Sequence, residues 1–431
     1  MQRAWWIMAA ASLFFFFVTA ATFTSLGVVL FTMAAELHWS QSAAGLSFAL
    51  LGLTCGLSSP LPALVMRRVG TRWTMFAGGV VLTIAFVLAS VSHGLWQFFL
   101  ATGLMGIGFT LSANIPSVYL LATWFPVNSA RVIGFYFMAG AFGGVFGPMV
   151  VDAIVAVVGW RMHWLIMAIV AAANGIFCAL IVTDRVPVVR TQDVTDAAGG
   201  TGSPEPTRAE SAWTPRAAML TRQFITIALA MLVIQTVVTT IHGMLVTHLA
   251  NLGATRTFGA FAMGVLGLTD SLAKGAGGVL ARHIAPIRLL TLGIAIQCGA
   301  VLLLPFASSQ AIAVTFAIAF GAGWGASWLS AHLLLLEYFG KNVAAPVLSS
   351  AQLITTVAIL GPVFAGMMAD ALGTFSPFFY VLAAMLAAIA VACAGMRAPM
   401  RQGRDTRESA PVRAPVVQVE AAIEPAPPNA A

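Results

Sequence analysis

An acid and a base stand four residues apart inside a long apolar stretch of this 431-residue chain. Asp270 and Lys274 would share one face of a helix, because residues four apart on a helix are neighbours. A charge near the middle of a lipid bilayer costs at least about 2.5 kcal/mol, so both side chains should face protein or a water-filled cavity. A carboxyl group can bind a proton and an ammonium group can attract an anion. The pair therefore predicts a proton–anion coupling element, and the competing interpretation is a static ion pair whose lysine reaches the membrane surface.

Further polar side chains in apolar stretches could contact a solute. The imidazoles of His242 and His332 could relay a proton, since histidine titrates near neutrality, or could be neutral groups bonded to backbone carbonyls. Several amide, phenol and indole groups could bond a carboxylate or equally bridge two helices. These groups belong to Asn114, Tyr119, Tyr136, Gln235, Gln352, Trp324 and Trp328.

The remaining reactive residues indicate no catalytic or metal site. The histidines lack HxxxH and HExxH spacing. Cys55, Cys178, Cys298 and Cys393 all lie in apolar runs and form no CxxC pair. No GKS or GKT sequence follows a glycine run, which excludes a phosphate-binding loop. We therefore predict that the protein is not an enzyme and uses no metal or other cofactor.

Composition indicates what surrounds these residues. The chain is 60% hydrophobic and 8% charged, whereas a soluble domain carries roughly 25% charged residues. A chain this apolar must turn its outer surface to lipid. Its net charge of +7 comes from basic residues in short loops and terminal stretches, the distribution of a membrane topology rather than of a nucleic-acid-binding surface.

Twelve apolar stretches are long enough to cross a bilayer, for which a helix needs about 20 residues. They predict an all-α integral membrane protein. The spans lie near 5–33, 43–66, 73–91, 95–122, 131–151, 163–183, 223–249, 258–280, 288–307, 311–336, 343–368 and 376–396.

A polar stretch rich in glycine and proline divides these spans six and six. We predict that residues 1–184 form an N-terminal six-helix bundle, that 185–222 form a cytoplasmic linker, and that 223–396 form a C-terminal six-helix bundle. The equally polar tail, 397–431, is predicted to be disordered.

Basic residues predict the orientation of the bundle. With the N-terminus inside, eighteen of them fall on the cytoplasmic side, and only Arg161 and Arg256 fall outside. This asymmetry predicts a multi-pass protein of the inner (plasma) membrane with both termini in the cytoplasm.

The two halves carry matching landmarks. Arg68 precedes Pro148 by 148 − 68 = 80 residues, and Arg282 precedes Pro362 by 362 − 282 = 80 residues. The equal spacing indicates a duplicated unit. Parallel repeats of six helices with a substrate between them are one plan of secondary transporters.

Four motifs carry a family resemblance that covers roughly residues 5–396. They are Arg67-Arg68-Val69-Gly70-Thr71-Arg72; Trp124-Phe125 with Arg131, Gly134 and Gly147-Pro148; Gly361-Pro362 with Gly366, Asp370 and Gly373; and Asp270 with Lys274-Gly275. Together they resemble the major facilitator superfamily and, within it, the group of monocarboxylate-porter-like and oxalate/formate antiporter-like proteins. The resemblance implies the major facilitator fold, and it implies conformational or topological roles for Arg67, Arg68, Arg72, Arg282 and the two Gly-Pro pairs.

Three positions depart from the family pattern. Arg67 stands where the superfamily motif normally carries Asp, and Lys274 stands where the family usually has Arg. Mammalian members have a substrate-contacting Lys in the first helix, at a position that aligns near Ser25, and the predicted first span contains no Lys or Arg.

The residues and the resemblance together predict a secondary transporter. It would move a small, monocarboxylate-like organic anion across the inner membrane by alternating access, coupled to a proton, with Asp270 as the proton carrier and Lys274 as the anion partner. The alternative is proton-driven efflux of a drug-like or siderophore-like compound, because a fold does not determine a function. The expected partners are the anion, the proton and the lipid bilayer, without nucleic acid, and the chain is expected to act as a monomer.

Overall fold

The structure is a computed structural model that describes residues 2–39, 41–184 and 213–399. In these ranges the chain forms helices and no strand. Nine of the helices there are long and apolar enough to cross a membrane by themselves. Most of the predicted linker, 185–212, and the predicted tail from residue 400 lie outside the described residues.

Twelve helical segments follow one another, and the first six form the N-terminal half. α1 joins Gln2–Thr19 to Ser25–Glu36 through one π-helical turn, Ala20–Thr24. The next segments are α2 (Gln41–Leu57 and 60–69), α3 (71–90), α4 (Leu95–Ser112 and Ile115–Trp124), α5 (129–158) and α6 (160–181).

The C-terminal half contains the other six segments. They are α7 (Arg222–Asn251), α8 (Arg256–Leu280), α9 (Pro286–Leu303 and Leu304–Phe306), α10 (Gln310–Phe339), α11 (Lys341–Val343, Ala344–Ile354, Thr355–Leu360 and Gly361–Leu372) and α12 (Ser376–Ala394).

Two glycines explain why twelve segments appear as fewer continuous helices. Pro60–Ser90 turns at Gly70 and Ser129–Ile181 turns at Gly159, where φ is +83° and +77°. Glycine has no Cβ and adopts such angles at little cost, so each glycine ends one spanning segment and starts the next. The prediction of twelve spanning helices in two six-helix halves is confirmed.

The bundle has two ends, which we name from the chain. α1 begins and α12 ends at the terminal face, and the turn at Gly159 lies at the opposite, far face. At the terminal face, Asp184 accepts a 2.9 Å hydrogen bond from the backbone N–H of Thr71 and so caps the start of α3. Thr221 and Ser309 are the N-cap residues of α7 and α10, and their side chains accept hydrogen bonds from the backbone N–H groups of Phe224 and Ile312.

Several predicted boundaries require correction; α5, for example, ends at 158 rather than at the predicted 151. α1 begins at Gln2 rather than residue 5, so its first turn contains Arg3, which donates a 2.6 Å hydrogen bond to Thr183. The predicted linker ends earlier than residue 222, because Pro215–Met219 is already helical and the ring of Trp213 lies 5.6 Å from that of Phe339. Aromatic packing and an N-terminal cap on the short helix are not visible as hydropathy, which explains the misplaced boundary.

The halves pack together from the terminal face to the middle of the bundle. At the crossing of α5 and α8, a Cβ added to Gly134 would lie 2.7 Å from the Cα of Gly278 and 2.7 Å from the Lys274 carbonyl oxygen. Only glycine permits backbones to approach this closely. The elements 344–354 and 355–360 of α11 lie against α2 and α4, and the hydrophobic core of the C-terminal half continues into α4 and α5.

Candidate functional site

The acid and the base of α8 form a buried ion pair. Lys274 Nζ lies 2.6 Å from Asp270 Oδ2, and the two residues are 6% and 2% exposed. Lys274 stands six residues before the end of α8, about 9 Å from the terminal face. Its side chain points back along the helix toward Asp270, the usual direction for long side chains in helices. The lysine therefore does not extend to the membrane surface. Whether the pair is static or couples a proton to an anion stays a prediction.

One carboxylate oxygen of the pair has no protein partner. Asp270 Oδ1 is buried and accepts no hydrogen bond within the described part of the chain. A buried acceptor left unpaired costs about 1–3 kcal/mol. A proton or a water molecule at Oδ1 would remove that cost. The pair therefore has one oxygen committed to the lysine and one available for a proton.

An indole covers the lysine. The ammonium of Lys274 lies 4.4 Å from the ring centroid of Trp324 on α10, a cation–π arrangement. The Trp324 Nε1–H is also buried without a partner among the described residues. Trp324 also meets the imidazole of His242 on α7, at 5.3 Å between ring centroids. These side chains from α7, α8 and α10 place one cation, one carboxyl group and two rings together.

Both predicted imidazoles lie near the lysine, and each is bonded to its own helix. His242 Nδ1 lies 2.8 Å from the Val238 carbonyl oxygen, and His332 Nδ1 lies 2.9 Å from the Trp328 carbonyl oxygen. The ring of His242 contacts Trp324, which covers the lysine, and the ring of His332 contacts Trp328 and Phe137 at 5.2 and 5.0 Å between centroids. His242 is exposed, whereas His332 is buried.

A second polar group joins the two halves. Asn114 interrupts α4 with φ +42° and donates a 3.4 Å hydrogen bond from Nδ2 to Gln352 Oε1 on α11. Its backbone N–H donates to the Tyr136 hydroxyl at 3.0 Å, and its Oδ1 is buried without a partner among the residues described. A non-glycine residue at positive φ stores strain that the surrounding structure must hold. Asn114 therefore presents a fixed acceptor next to the interface between the halves.

Tyr119 lies apart from these groups. It is half-buried in the last segment of α4, Ile115–Trp124, near the terminal end of the N-terminal half. The structure thus brings Lys274, His242 and His332 together, places Asn114, Tyr136 and Gln352 in a second cluster, and separates Tyr119 from both. Substrate contact by any of these residues stays a prediction.

The predicted conformational residues lie at the terminal face or at helix crossings. Arg67 and Arg68 are exposed, and the guanidinium of Arg72 lies 5.1 Å from the ring centroid of Trp73. Arg282 donates a hydrogen bond to the side-chain oxygen of Asn128, which links the two halves.

The two Gly-Pro pairs lie inside spans. Gly147 and Pro148 are within α5, and Gly147 is buried. Gly361 and Pro362 begin the last segment of α11, and a Cβ added to Gly361 would lie 3.0 Å from the Thr236 carbonyl oxygen on α7. The conformational roles of all these residues stay predictions.

Sequence reasoning overlooked other buried groups. His163 is fully buried in α6 with neither ring nitrogen bonded to a described residue. His248 is held by the Leu304 carbonyl oxygen at 2.9 Å. Both could have been found by testing every histidine against the span boundaries, and His163 was missed because it stands at the first position of its predicted span. No three His, Cys, Asp or Glu side chains in residues 2–39, 41–184 and 213–399 are placed to hold a metal ion.

Comparison with known proteins gives a family and a fold. The sequence profile of the Major Facilitator Superfamily matches residues 12–360. The crystal structure of the E. coli fucose:proton symporter FucP superimposes with a TM-score of 0.70 at 14% identity, over 90% of this chain and 97% of that chain.

Curated relatives are transporters. The uncharacterized MFS-type transporter YhjX of Escherichia coli K12 is 26% identical over 65% of this chain and 67% of its own length. Human monocarboxylate transporter 6 is 23% identical over 37% of this chain and 32% of its own length. The chain covers between 20% and 67% of the length of the curated relatives that it matches.

Proposed function

The chain belongs to the Major Facilitator Superfamily, and we propose that it is a secondary transporter that moves a small, monocarboxylate-like organic anion together with a proton. The observation that carries this proposal is the Asp270–Lys274 pair, with one carboxylate oxygen bonded to the lysine and the other unpaired. The name of the relative monocarboxylate transporter 6 supports the substrate class.

Coupling follows from the competition for one ammonium group. An anion that binds Lys274 takes the counter-charge away from Asp270. A buried carboxylate without a counter-charge is unfavourable in a low-dielectric site, so a proton on Oδ1 neutralises it. When the anion leaves, the ammonium returns to the carboxylate and the proton is released. Anion and proton therefore bind and leave together.

The packing of the halves supports alternating access. The contacts between the halves described above lie between the terminal face and the middle of the bundle, which closes the path on that side. Asp270 and Trp324 lie near the middle of α8 and α10. A rocking motion that separates α5 from α8 and α2 from α11 would expose the pair to the terminal face.

Neutral variants of the pair test the coupling. Asp270→Asn keeps the size of the side chain but holds it neutral, so proton-driven accumulation of the solute should vanish while counterflow exchange of preloaded solute continues. Lys274→Gln should weaken anion binding instead, and Lys274→Arg should retain most activity because it keeps the charge. Uptake and counterflow are measured in vesicles that contain each variant, and the abundance of each variant is measured in the membrane.

The double variant Asp270→Asn/Lys274→Gln separates coupling from a structural ion pair. A structural pair predicts that each single variant strands a charge and loses abundance, and that the double variant recovers both folding and transport. Proton-driven accumulation by the double variant at the wild-type level would overturn the proposed function.

We also infer a place and an orientation. The protein would lie in the inner (plasma) membrane as a monomer with both termini and the segment between the halves in the cytoplasm, because the basic residues concentrate on that side. A reporter enzyme that works only in the periplasm, fused after Ser203, should give no signal. Strong periplasmic activity would reverse the orientation.

A second candidate function is proton-driven efflux of a larger drug-like or siderophore-like compound. The aromatic rings around Lys274 favour it, because Trp324 and His242 offer more apolar surface than a two- or three-carbon acid needs. Right-side-out and everted vesicles distinguish the two when the periplasmic face is made the acidic side in both. Accumulation of the solute in right-side-out vesicles, in the same direction as the proton, supports uptake. Accumulation in everted vesicles, in the direction opposite to the proton, supports efflux.

A further inference from the structure

A row of aromatic rings extends from the N-terminal half toward the lysine. We call Phe15 and Phe23 on α1, Phe109 on α4 and Tyr136 on α5 the aromatic belt. Phe23 meets Phe109 at 5.1 Å between centroids, Phe109 meets Phe15 at 6.2 Å, and Phe15 stacks on Tyr136 at 4.7 Å. Phe15, Phe23 and Phe109 are each only half-buried, so part of each ring is open to contact.

The aromatic belt reaches the charged pair through the interface of the halves. The ring of Phe137 on α5 lies 6.1 Å from Phe15 and 5.0 Å from His332 on α10. Helix α5 also lies directly against the lysine, because a Cβ added to Gly134 would lie 2.7 Å from the Lys274 carbonyl oxygen, and the Lys274 ammonium is covered by Trp324. A cation and a set of partly open rings therefore lie at neighbouring places, on opposite halves of the bundle.

This arrangement matches a molecule with two unlike ends. A carboxylate pairs with the ammonium of Lys274, and a planar ring on the same molecule contacts the aromatic belt edge-on or in an offset stack. Such ring contacts add stability beyond the burial of apolar area. A short aliphatic acid would use the lysine and leave the rings unused.

We propose that the transported anion is an aromatic carboxylate, with its ring on the aromatic belt and its carboxylate at Lys274. The proposal rests on the proposed function, since it assigns the substrate class of the same site. It makes Phe15 and Phe109 specificity-determining residues. One molecule would then bridge the two halves, with its ring against the aromatic belt and its carboxylate at Lys274.

Three acids test the proposal in proteoliposomes with an imposed proton gradient. Phenylacetate and cyclohexylacetate have the same chain and similar size but differ in aromaticity, and acetate lacks the ring. We expect the KM of phenylacetate to be at least about threefold below that of cyclohexylacetate, the size of one aromatic pair contact, and at least about tenfold below that of acetate.

Ring deletions make the test specific to the belt. Phe15→Leu and Phe109→Leu remove the ring and keep an apolar side chain, so the KM ratio of cyclohexylacetate to phenylacetate should fall toward one. Phe146→Leu is the matched control, because Phe146 is exposed on α5 and pairs only with Phe142 among the rings described. The control should keep the wild-type ratio. Membrane abundance of each variant is measured alongside.

The outcomes distinguish the substrate class from the mechanism. Equal KM values for phenylacetate and cyclohexylacetate, or proton-driven uptake of acetate alone, would overturn the aromatic assignment and leave the proposed anion transport intact. An unchanged ratio in both belt variants would overturn it as well. Failure of all three acids to move with the proton would overturn both proposals.

Discussion

The two halves of the bundle share a scaffold and differ in what they place in its interior. Arg68 and Arg282 stand 282 − 68 = 214 residues apart, and so do Pro148 and Pro362, with 362 − 148 = 214. The C-terminal half contributes an ion pair and two imidazoles to the candidate site. The N-terminal half contributes rings and one amide. The common offset relates the turns after α2 and α8 and the Gly-Pro pairs of α5 and α11, while the side chains that the two halves place in the interior differ.

The same offset shows how the divergence changed helix packing. Asp270 corresponds to position 270 − 214 = 56 and Lys274 to 274 − 214 = 60, which are Gly56 and Pro60. Instead of an ion pair, α2 has a glycine whose added Cβ would lie 2.6 Å from Thr356 Cβ on α11, and a proline after a break in the helix. One half has a buried ion pair at this place, and the other has a close approach of α2 to α11.

The largest expected effect is the loss of uptake when the Lys274 charge of the C-terminal half is removed, compared with removal of the Asn114 amide of the N-terminal half. Hydrogen bonds to charged groups contribute about 1.5–3 kcal/mol and neutral ones about 0.5–1.5 kcal/mol. Because about 1.4 kcal/mol is tenfold, Lys274→Gln should lower kcat/KM for uptake by at least about tenfold, and Asn114→Ala by less than about tenfold. An equal loss in both variants at equal abundance would contradict the division of roles.

An intermediate effect should follow from filling the crossing of α5 and α8. Overpacking costs about 1–3 kcal/mol, so Gly134→Ala should reduce the transport rate at least about fivefold by keeping the halves from closing at the terminal face. Gly144→Ala on the same helix is the control, because a Cβ there meets nothing within 4 Å. Gly278→Ala and Gly264→Ala repeat the comparison on α8.

Transport by Gly134→Ala at the rate of Gly144→Ala would show that the close approach is not needed for the cycle. Cross-linking of introduced cysteines at the terminal ends of α5 and α8 gives an independent readout. It should be slower in Gly134→Ala and unchanged in the control.

The smallest effect should come from the exposed contact between the halves. Water competes for the hydrogen bond of Arg282 with Asn128, and exposed polar contacts contribute little. Arg282→Ala and Asn128→Ala should each reduce transport by less than about threefold, and the double variant should be no worse than the more severe single variant, because both remove one contact. A tenfold loss in either single variant would assign this pair a larger role in closure.

Hydropathy was sufficient for the fold and for the central pair. Twelve spans follow from apolar length alone, and Asp270 and Lys274 stand out because charge is rare inside a span. The positions of rings and amides were not predictable in this way. Whether Trp324 covers the lysine, and whether Asn114 faces Gln352, depends on helix rotation and on contacts between distant segments. Hydropathy averages over both.

The linker boundary shows the same limit on a smaller scale. Residues 213–221 are polar enough to resemble the stretch before them. Contacts with distant residues assign them to the C-terminal half, among them Trp213 with Phe339 and Met219 with Ser350. Local composition reports the polarity of a segment and its own structural preference. It contains no information about a partner ring more than a hundred positions away in the chain.

The π-helical turn of α1 has a consequence for tracing the ancestry of the protein. In Ala20–Thr24 the backbone N–H of Ser25 bonds to the Ala20 carbonyl oxygen, five residues back. Such a turn holds one residue more than an α-helical turn, and it rotates everything after it by about 100°. A gapless alignment with a relative that lacks the turn would therefore pair residues that differ by about 100° in direction around the helix from Ser25 to Glu36. A one-residue gap within 20–24 restores the equivalence, and it allows cavity positions on the two sides of the turn to be compared between species.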